Sequence, residues 1–344
     1  MTLNERRSDA TLPVLKLDEI NNVIKTSEIA YLGDIFNCRG NNDDLMADRV
    51  KRGTKAMITI ASLMADTEVG THHIIIMLLL YRCLFLATIL FNSCTWSNLR
   101  KKDLDSLRTL QLKYLKRVVG VASSTANAFI FLELGVLPIE YEIEKRQLMY
   151  LHRILQLEST DPVSKLFWDL KRMSEAGETN WWTGVEPSLE KYHLPTDLGK
   201  IKGMSKDCFA RKVKDSVTKT ALSQLQSECQ SLKKTANLQY KELKMQEYLT
   251  HLYPSQARLV FKWRSKTLDL KAHLTYKYSD LSFRICKSND ENPEHALNCG
   301  VETVMDSKID VLSLDKFDDF TKSELKQMVL RISSFLEKVV ESDG

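Results

Sequence analysis

The sequence predicts a mainly helical protein, and two observations carry that prediction. Glycine and proline number only 12 and 7 among 344 residues, about half of their usual shares of ~7% and ~5%. Apolar residues also recur every three or four positions over long stretches, the spacing of a helix with one buried face. A β-sandwich, which needs frequent turn residues, and a glycine-rich nucleotide-binding fold are both disfavoured.

The first half of the chain contains the clearest helical pattern. It is preceded by YLGDIF (31–36), where Gly33 and its apolar neighbours predict a strand or a tight turn. Gly120 stands where a C′ glycine follows a helix, and Pro138 suits the first turn of the next one. The helices predicted in this half cover residues 45–65, 73–92, 102–119 and 138–157.

Residues 158–205 predict a loop-rich connection between two domains, because prolines and glycines interrupt the helical pattern there. The pair Trp181–Trp182 is expected to pack within that loop. Helical sequence resumes over 206–250 and again over 255–266.

The final predicted helix carries the strongest start signal. Thr321 and Glu324 form a T-x-x-E capping box. An apolar face follows, and it predicts either packing within the chain or a protein partner at this helix. The residues of this face are Leu325, Met328, Val329, Ile332, Phe335, Leu336 and Val339.

The apolar run from Ile74 to Phe91 is the one segment that challenges a soluble fold. It is eighteen residues long, within the lower range for a membrane span. Arg82 lies at its centre, however, where a charge costs about 2.5–3.5 kcal/mol in a bilayer. We therefore predict a buried helix and no membrane association.

Charge is distributed unevenly although the net charge is only +4. Residues 97–120 hold 7 basic and 2 acidic residues, and residues 206–278 hold 15 and 6, whereas residues 301–344 hold 6 and 10. Two basic helical regions with an acidic tail suit a protein that meets nucleic-acid phosphates, although a run of charge is more often a solvated helix face.

The cysteines and the first residues indicate a reducing compartment. The seven cysteines are odd in number and widely spaced, which disfavours a disulfide framework. The opening MTLNERRSDATLP lacks the apolar core of a signal peptide. We expect the protein in the nucleus or cytoplasm and not secreted.

No motif of a self-contained active site is present, so no catalytic residue is assigned. The sequence contains no phosphate-binding glycine loop and no H-E-x-x-H. Asp43 and Asp44 follow two asparagines and precede a helix, so they are interpreted as helix-start carboxylates and not as a magnesium site.

One segment resembles a metal site. Cys286, His295 and Cys299 have the spacing C-x8-H-x3-C, but Phe283 stands where a C-x2-C knuckle would place its first cysteine. Three ligands could hold zinc together with water or a carboxylate such as Asp280 or Asp290. The other interpretation is a remnant that packs through Phe283.

Several motifs together resemble the region after the palm of non-LTR (LINE-type) retrotransposon reverse transcriptases. They are YLGDIF (31–36), the following Arg49, LLLYRCLFLATILFNSCTW (78–96), and LKYLKRVVGVASSTANAFIFLELGVLPIEYEIEKRQLMYLHRIL (112–155). ARLVFKWRSKTLDLK (257–271) resembles the family's basic region, and residues 283–299 resemble its CCHC knuckle.

The resemblance implies a helical thumb-like bundle, a second helical region and a degenerate zinc knuckle. The family's aromatic-x-Asp-Asp polymerase site lies upstream of YLG and has no counterpart in this chain, so a truncated protein without polymerase activity of its own is implied. The implied organisation is a palm-side remnant at 1–30, the thumb-like domain at 31–157, the linker at 158–205, a basic helical region at 206–282, the knuckle at 283–299 and an acidic tail at 300–344.

The expected function is sequence-tolerant binding of RNA or DNA through basic helices, since a thumb grips nucleic acid by its backbone. Trp263 has two interpretations, a platform for a base or a core anchor. The alternatives are a helical scaffold protein or a relic of a decayed retroelement. The residues predicted to bind nucleic acid are Lys113, Lys116, Arg117, Lys262, Trp263, Arg264 and Lys266.

Overall fold

The computed structural model describes residues 27–37, 40–65, 70–268, 270–271, 279–280, 282 and 322–343. These residues are mainly helical, which confirms the predicted class. Strands β1 (Glu28–Tyr31) and β2 (Asp34–Asn37) form an antiparallel hairpin with Tyr31 opposite Asp34. Gly33, in the two-residue turn, has φ +88, so the YLGDIF stretch contains both a strand and a turn.

Helices are observed in all four ranges predicted for the first half of the chain, whereas α5 (Asn127–Leu134) was not predicted. Tyr81–Leu86 is a π-helical stretch between α2 and α3, and single turns of 3₁₀ helix cover Gly70–His72 and Ser93–Thr95. The α-helices are α1 (Asp43–Ala65), α2 (His73–Leu80), α3 (Ala87–Ile89), α4 (Lys101–Val119), α5 (Asn127–Leu134), α6 (Ile139–Leu155), α7 (Pro162–Glu175), α8 (Trp181–Lys191), α9 (Leu198–Lys202), α10 (Lys206–Gln230), α11 (Tyr248–His251), α12 (Pro254–Arg264) and α13 (Lys322–Asp343).

The chain divides into two compact units. The first unit consists of Met1–Leu63, Tyr81–Gln111 and Pro138–Val217. The second unit consists of Met64–Leu80, Leu112–Leu137 and Thr218–Gly344.

In the first unit, a buried arginine fixes the hairpin to α1. Arg49 is 1% exposed and donates from Nη2 to the Gly33 carbonyl at 3.0 Å and to the Asp34 carboxylate. Its guanidinium also lies 5.5 Å from the ring centre of Phe91 and 6.0 Å from that of Trp96. The charge is therefore neutralised and enclosed by aromatic rings, as a buried cation requires.

The segment 158–205 is helical, so the prediction of a loop-rich connection there was wrong. Pro162 occupies the first turn of α7, and the side chains of Asn180 and Asp197 accept backbone hydrogen bonds at the starts of α8 and α9. Of the prolines and glycines interpreted as loop signals, Pro162 suits the start of a helix, and Gly184 and Pro187 lie within α8. Trp181 and Trp182 consequently lie in the first turn of α8, where both are buried.

We predict that Asn180→Ala lowers the free energy of unfolding by about 1 kcal/mol, within the ~0.5–2 kcal/mol range of lost helix caps. The Asn180 side chain accepts from the amide of Trp182 at 2.9 Å and donates to the Leu170 carbonyl at 2.8 Å. Urea unfolding measures the change. Asn237→Ala, at an exposed position, is the matched control, and an equal loss in both variants would contradict the capping role.

The apolar segment is buried on one side. Tyr81, Phe85 and Ile89 are at most 1% exposed, whereas Leu79 and Leu84 are 57% and 39% exposed. By length and composition alone, Gly70–Ile89 is the one helix of the described residues that could span a membrane, with a mean hydropathy of 1.8 and 39% of the window buried. A single helix of this kind is weak support for a membrane span, since core helices share these properties.

In the second unit, α13 packs against α11 and α12. Leu325, Met328, Val329 and Ile332 of its apolar face are each at most 2% exposed. The described part of that face is thus covered within the chain. Thr321 of the predicted capping box lies outside the described residues, as do the side chains of Phe335, Leu336 and Val339.

Candidate nucleic-acid interface

The basic end of α4 is exposed in the second unit. Lys113 and Arg117 are exposed, one helical turn apart on the same face. Lys116 is half-buried and its ammonium donates to the Ser123 carbonyl. Burial lowers the pKa of Lys116 from its ordinary value.

Gly120 ends α4 as predicted. Its φ is +73, the left-handed region in which glycine is favoured. Its amide donates to the Lys116 carbonyl at 2.9 Å, and the Val121 amide donates to the same carbonyl at 3.0 Å. The helix therefore ends at Val119, directly after the cations Lys116 and Arg117 of its last turn.

A second basic helix meets this end of α4. Arg258 of α12 donates from Nε to the Val119 carbonyl at 3.2 Å. Lys262 follows Arg258 by one helical turn on the same face and is half-exposed. We call the set Lys113, Lys116, Arg117, Arg258 and Lys262 the basic surface.

The cations of the basic surface are not neutralised by acidic side chains of the described residues. Within the described ranges, no carboxylate forms a salt bridge with any of these side chains. Lys266 lies just beyond the end of α12, half-exposed and with φ +50. Cations that no neighbouring carboxylate neutralises attract phosphate groups.

Trp263 and Arg264 lie on the opposite side of α12 and are buried. Trp263 is 5% exposed, so the core-anchor interpretation is the correct one. The Arg264 side chain is 3% exposed and forms a salt bridge with Glu133, whose side chain is fully buried. The prediction that these two residues contact nucleic acid is therefore corrected, since neither side chain is accessible to a phosphate or a base.

Glu133 is the centre of a closed polar cluster in the second unit. Its Oε1 accepts from Arg264 Nε at 3.0 Å and from Arg264 Nη2 at 2.9 Å. The hydroxyls of Tyr240 and Tyr248 donate to the same carboxylate. Burial raises the pKa of both tyrosines well above the ordinary value, and the Glu133 charge raises it further. The two tyrosines stay protonated donors, and the cluster has a structural role.

The predicted metal ligands Cys286, His295 and Cys299 lie outside the described residues, as do Phe283 and Asp290. Among the described residues, no group of three or more histidine, cysteine or acidic side chains could hold a metal ion. Asp280 is bonded to Ser282 and to the Lys271 ammonium at 3.2 Å, and these contacts lower its pKa to about 2. Zinc binding stays a prediction.

Asp43 and Asp44 begin α1, which confirms them as helix-start carboxylates. Asp43 forms salt bridges with Lys102 at 2.7 Å and Arg100 at 2.6 Å, and hydrogen bonds from these two cations lower its pKa. Asp44 accepts a hydrogen bond from the Asn37 side chain at 2.7 Å.

Comparison with known proteins finds no match among protein-family models, curated proteins or solved structures.

Sequence reasoning missed Arg258. The signal for it was the four-residue spacing of Arg258 and Lys262, which places both cations on one face of a helix. Sequence alone could not show that this face meets the end of α4, because 139 residues separate Arg258 from Val119.

Proposed function

We propose that this chain binds RNA or DNA through the backbone phosphates, using the basic surface. The observation that carries the proposal is the hydrogen bond from Arg258 to the Val119 carbonyl. It joins the cations of α12 to those of α4 in one unit, so that five basic side chains of two helices serve a single surface.

The chemistry of the surface favours binding without sequence readout. Lysine and arginine contacts to phosphates supply affinity that falls with salt, with a slope of about −0.9 in log K per phosphate contact. Trp263, the aromatic residue between the cations of α12, is buried and offers no platform for a base. Affinity should therefore depend on backbone charge and little on sequence.

We also propose that the chain is related to the region after the palm of non-LTR retrotransposon reverse transcriptases. The motif stretch 112–155 supports this relationship, and it contains the end of α4, the Ser123 loop and α5. A protein partner at α13 is not proposed, because the described part of its apolar face is covered within the second unit.

The test is titration of a fluorescently labelled RNA, DNA and RNA–DNA duplex with the double variant Lys113→Glu and Arg117→Glu. We expect affinity to fall by about tenfold or more at moderate salt, and the salt slope to shrink by about 2, since two phosphate contacts are lost. The measurement is fluorescence anisotropy across a salt series.

Lys165→Glu and Lys200→Glu form the matched control pair. These lysines are exposed in the first unit, and the pair changes the net charge by the same amount. Unchanged affinity in this pair, with loss in the α4 pair, supports a local surface. An equal loss of affinity in both pairs, or no binding by the unaltered protein at micromolar concentration, would refute the proposal.

A further inference from the structure

The end of α4 presents an electrostatic conflict. The last carbonyls of a helix point out of its C-terminus and carry partial negative charge, which repels anions. Lys113 and Arg117 lie in the last two turns of this helix. A phosphate drawn to these cations would also meet the negative helix end.

Arg258 covers that helix end. Its Nε donates to the Val119 carbonyl at 3.2 Å. The guanidinium lies directly over Gly120, where an added Cβ would come within 2.5 Å of its Cζ and Nε. Only a residue without a side chain leaves room for the guanidinium at this position.

A second cation acts beside it. The Lys116 ammonium donates to the Ser123 carbonyl, in the loop that follows α4. The last carbonyl of α4 and a carbonyl of the following loop are thus bonded to cationic side chains from two different elements. These two cations offset the partial negative charge that a bare helix terminus would carry.

We propose that Arg258 is a positioning residue for nucleic-acid binding, seated on Gly120 so that the C-terminal end of α4 accepts a phosphate. The inference rests on the proposed function and adds to it the reason why the basic surface is placed at a helix C-terminus. Gly120 is part of the device, because it provides the space that the guanidinium occupies.

Gly120→Ala tests position separately from charge. The alanine Cβ displaces the flexible end of Arg258 and leaves its charge on the protein. We expect affinity for a labelled nucleic-acid duplex to fall about two- to fivefold, the size of one helix-end charge effect, with an unchanged salt slope.

Gly177→Ala is the matched control for backbone strain. Gly177 also has positive φ, +90, and no atom lies within 4 Å of its added Cβ. This variant carries the same kind of strain and displaces nothing, so its affinity should equal that of the unaltered protein. Circular dichroism of both variants checks that each is folded.

Arg258→Gln completes the comparison. This variant removes both the positive charge and the guanidinium that lies over the end of α4. Its affinity for the duplex should fall at least as far as that of Gly120→Ala, with a smaller salt slope. If Gly120→Ala binds like Gly177→Ala while the unaltered protein binds well, the positioning role is refuted and the proposed function stands. If the unaltered protein does not bind, both fail together.

Discussion

Replacing Glu133 by alanine is expected to lower the free energy of unfolding by about 3–5 kcal/mol, the usual cost of breaking a buried ion pair. Arg264 would be left charged in a site where its side chain is only 3% exposed. The hydroxyls of Tyr240 and Tyr248 would lose their acceptor as well. A loss of this size is a large share of the total stability of a typical domain.

Urea unfolding of Glu133→Ala measures this cost. Glu186→Ala, which removes an exposed carboxylate from α8, is the control and should change stability by less than about 0.5 kcal/mol. Adding Arg264→Met to Glu133→Ala removes the stranded charge and should recover part of the loss. A single-variant cost below about 1 kcal/mol would show that the cluster does not stabilise the second unit.

Gly135→Ala is expected to cost about 2–5 kcal/mol, from backbone strain and from overpacking together. Gly135 has φ +60, and its added Cβ would lie 2.7 Å from Lys244 Cα and closer still to the Met245 amide nitrogen. Backbone atoms cannot rotate away as a side-chain end can. The segment that pairs Met245 with Leu134 would have to move.

The unfolding temperatures of Gly135→Ala and Gly177→Ala are compared. Gly177 also has positive φ, but no atom lies within 4 Å of its added Cβ. Gly177→Ala should therefore lose only the stability that the backbone strain at positive φ costs. Equal shifts in the two unfolding temperatures would contradict the close approach of residues 244–245 to Gly135.

Local signals in the sequence predicted the helices well where caps and apolar spacing agree. The end of α4 at Gly120 and the start of α6 after Pro138 match the prediction. The prolines and glycines over 158–205 misled, because such residues occur in loops and in helices alike: Pro162 begins α7, and Gly184 and Pro187 lie within α8. Which of the two they form depends on what the following residues can bury, as Trp181 and Trp182 do.

The candidate site was predicted in part, for a different reason. Lys113 and Arg117 could be identified because they belong to a stretch, residues 97–120, in which basic residues outnumber acidic ones. Arg264 could not be separated from Lys262 by sequence, because the buried partner of Arg264, Glu133, lies 131 residues away. Tertiary pairing decides whether an arginine faces solvent or the core, and local sequence does not contain that information.

The span between Glu133 and Arg264 has a consequence for synthesis of the protein. Every residue of α5 from Ala128 to Leu134 is buried in the folded chain, yet the residues that enclose Glu133 are translated up to 131 positions later. At about 5–20 residues per second, about 7–26 s pass between the synthesis of Glu133 and that of Arg264. A short, strongly apolar segment is thus left uncovered on the nascent chain, and we expect ribosome-associated chaperones to bind the protein at this stretch.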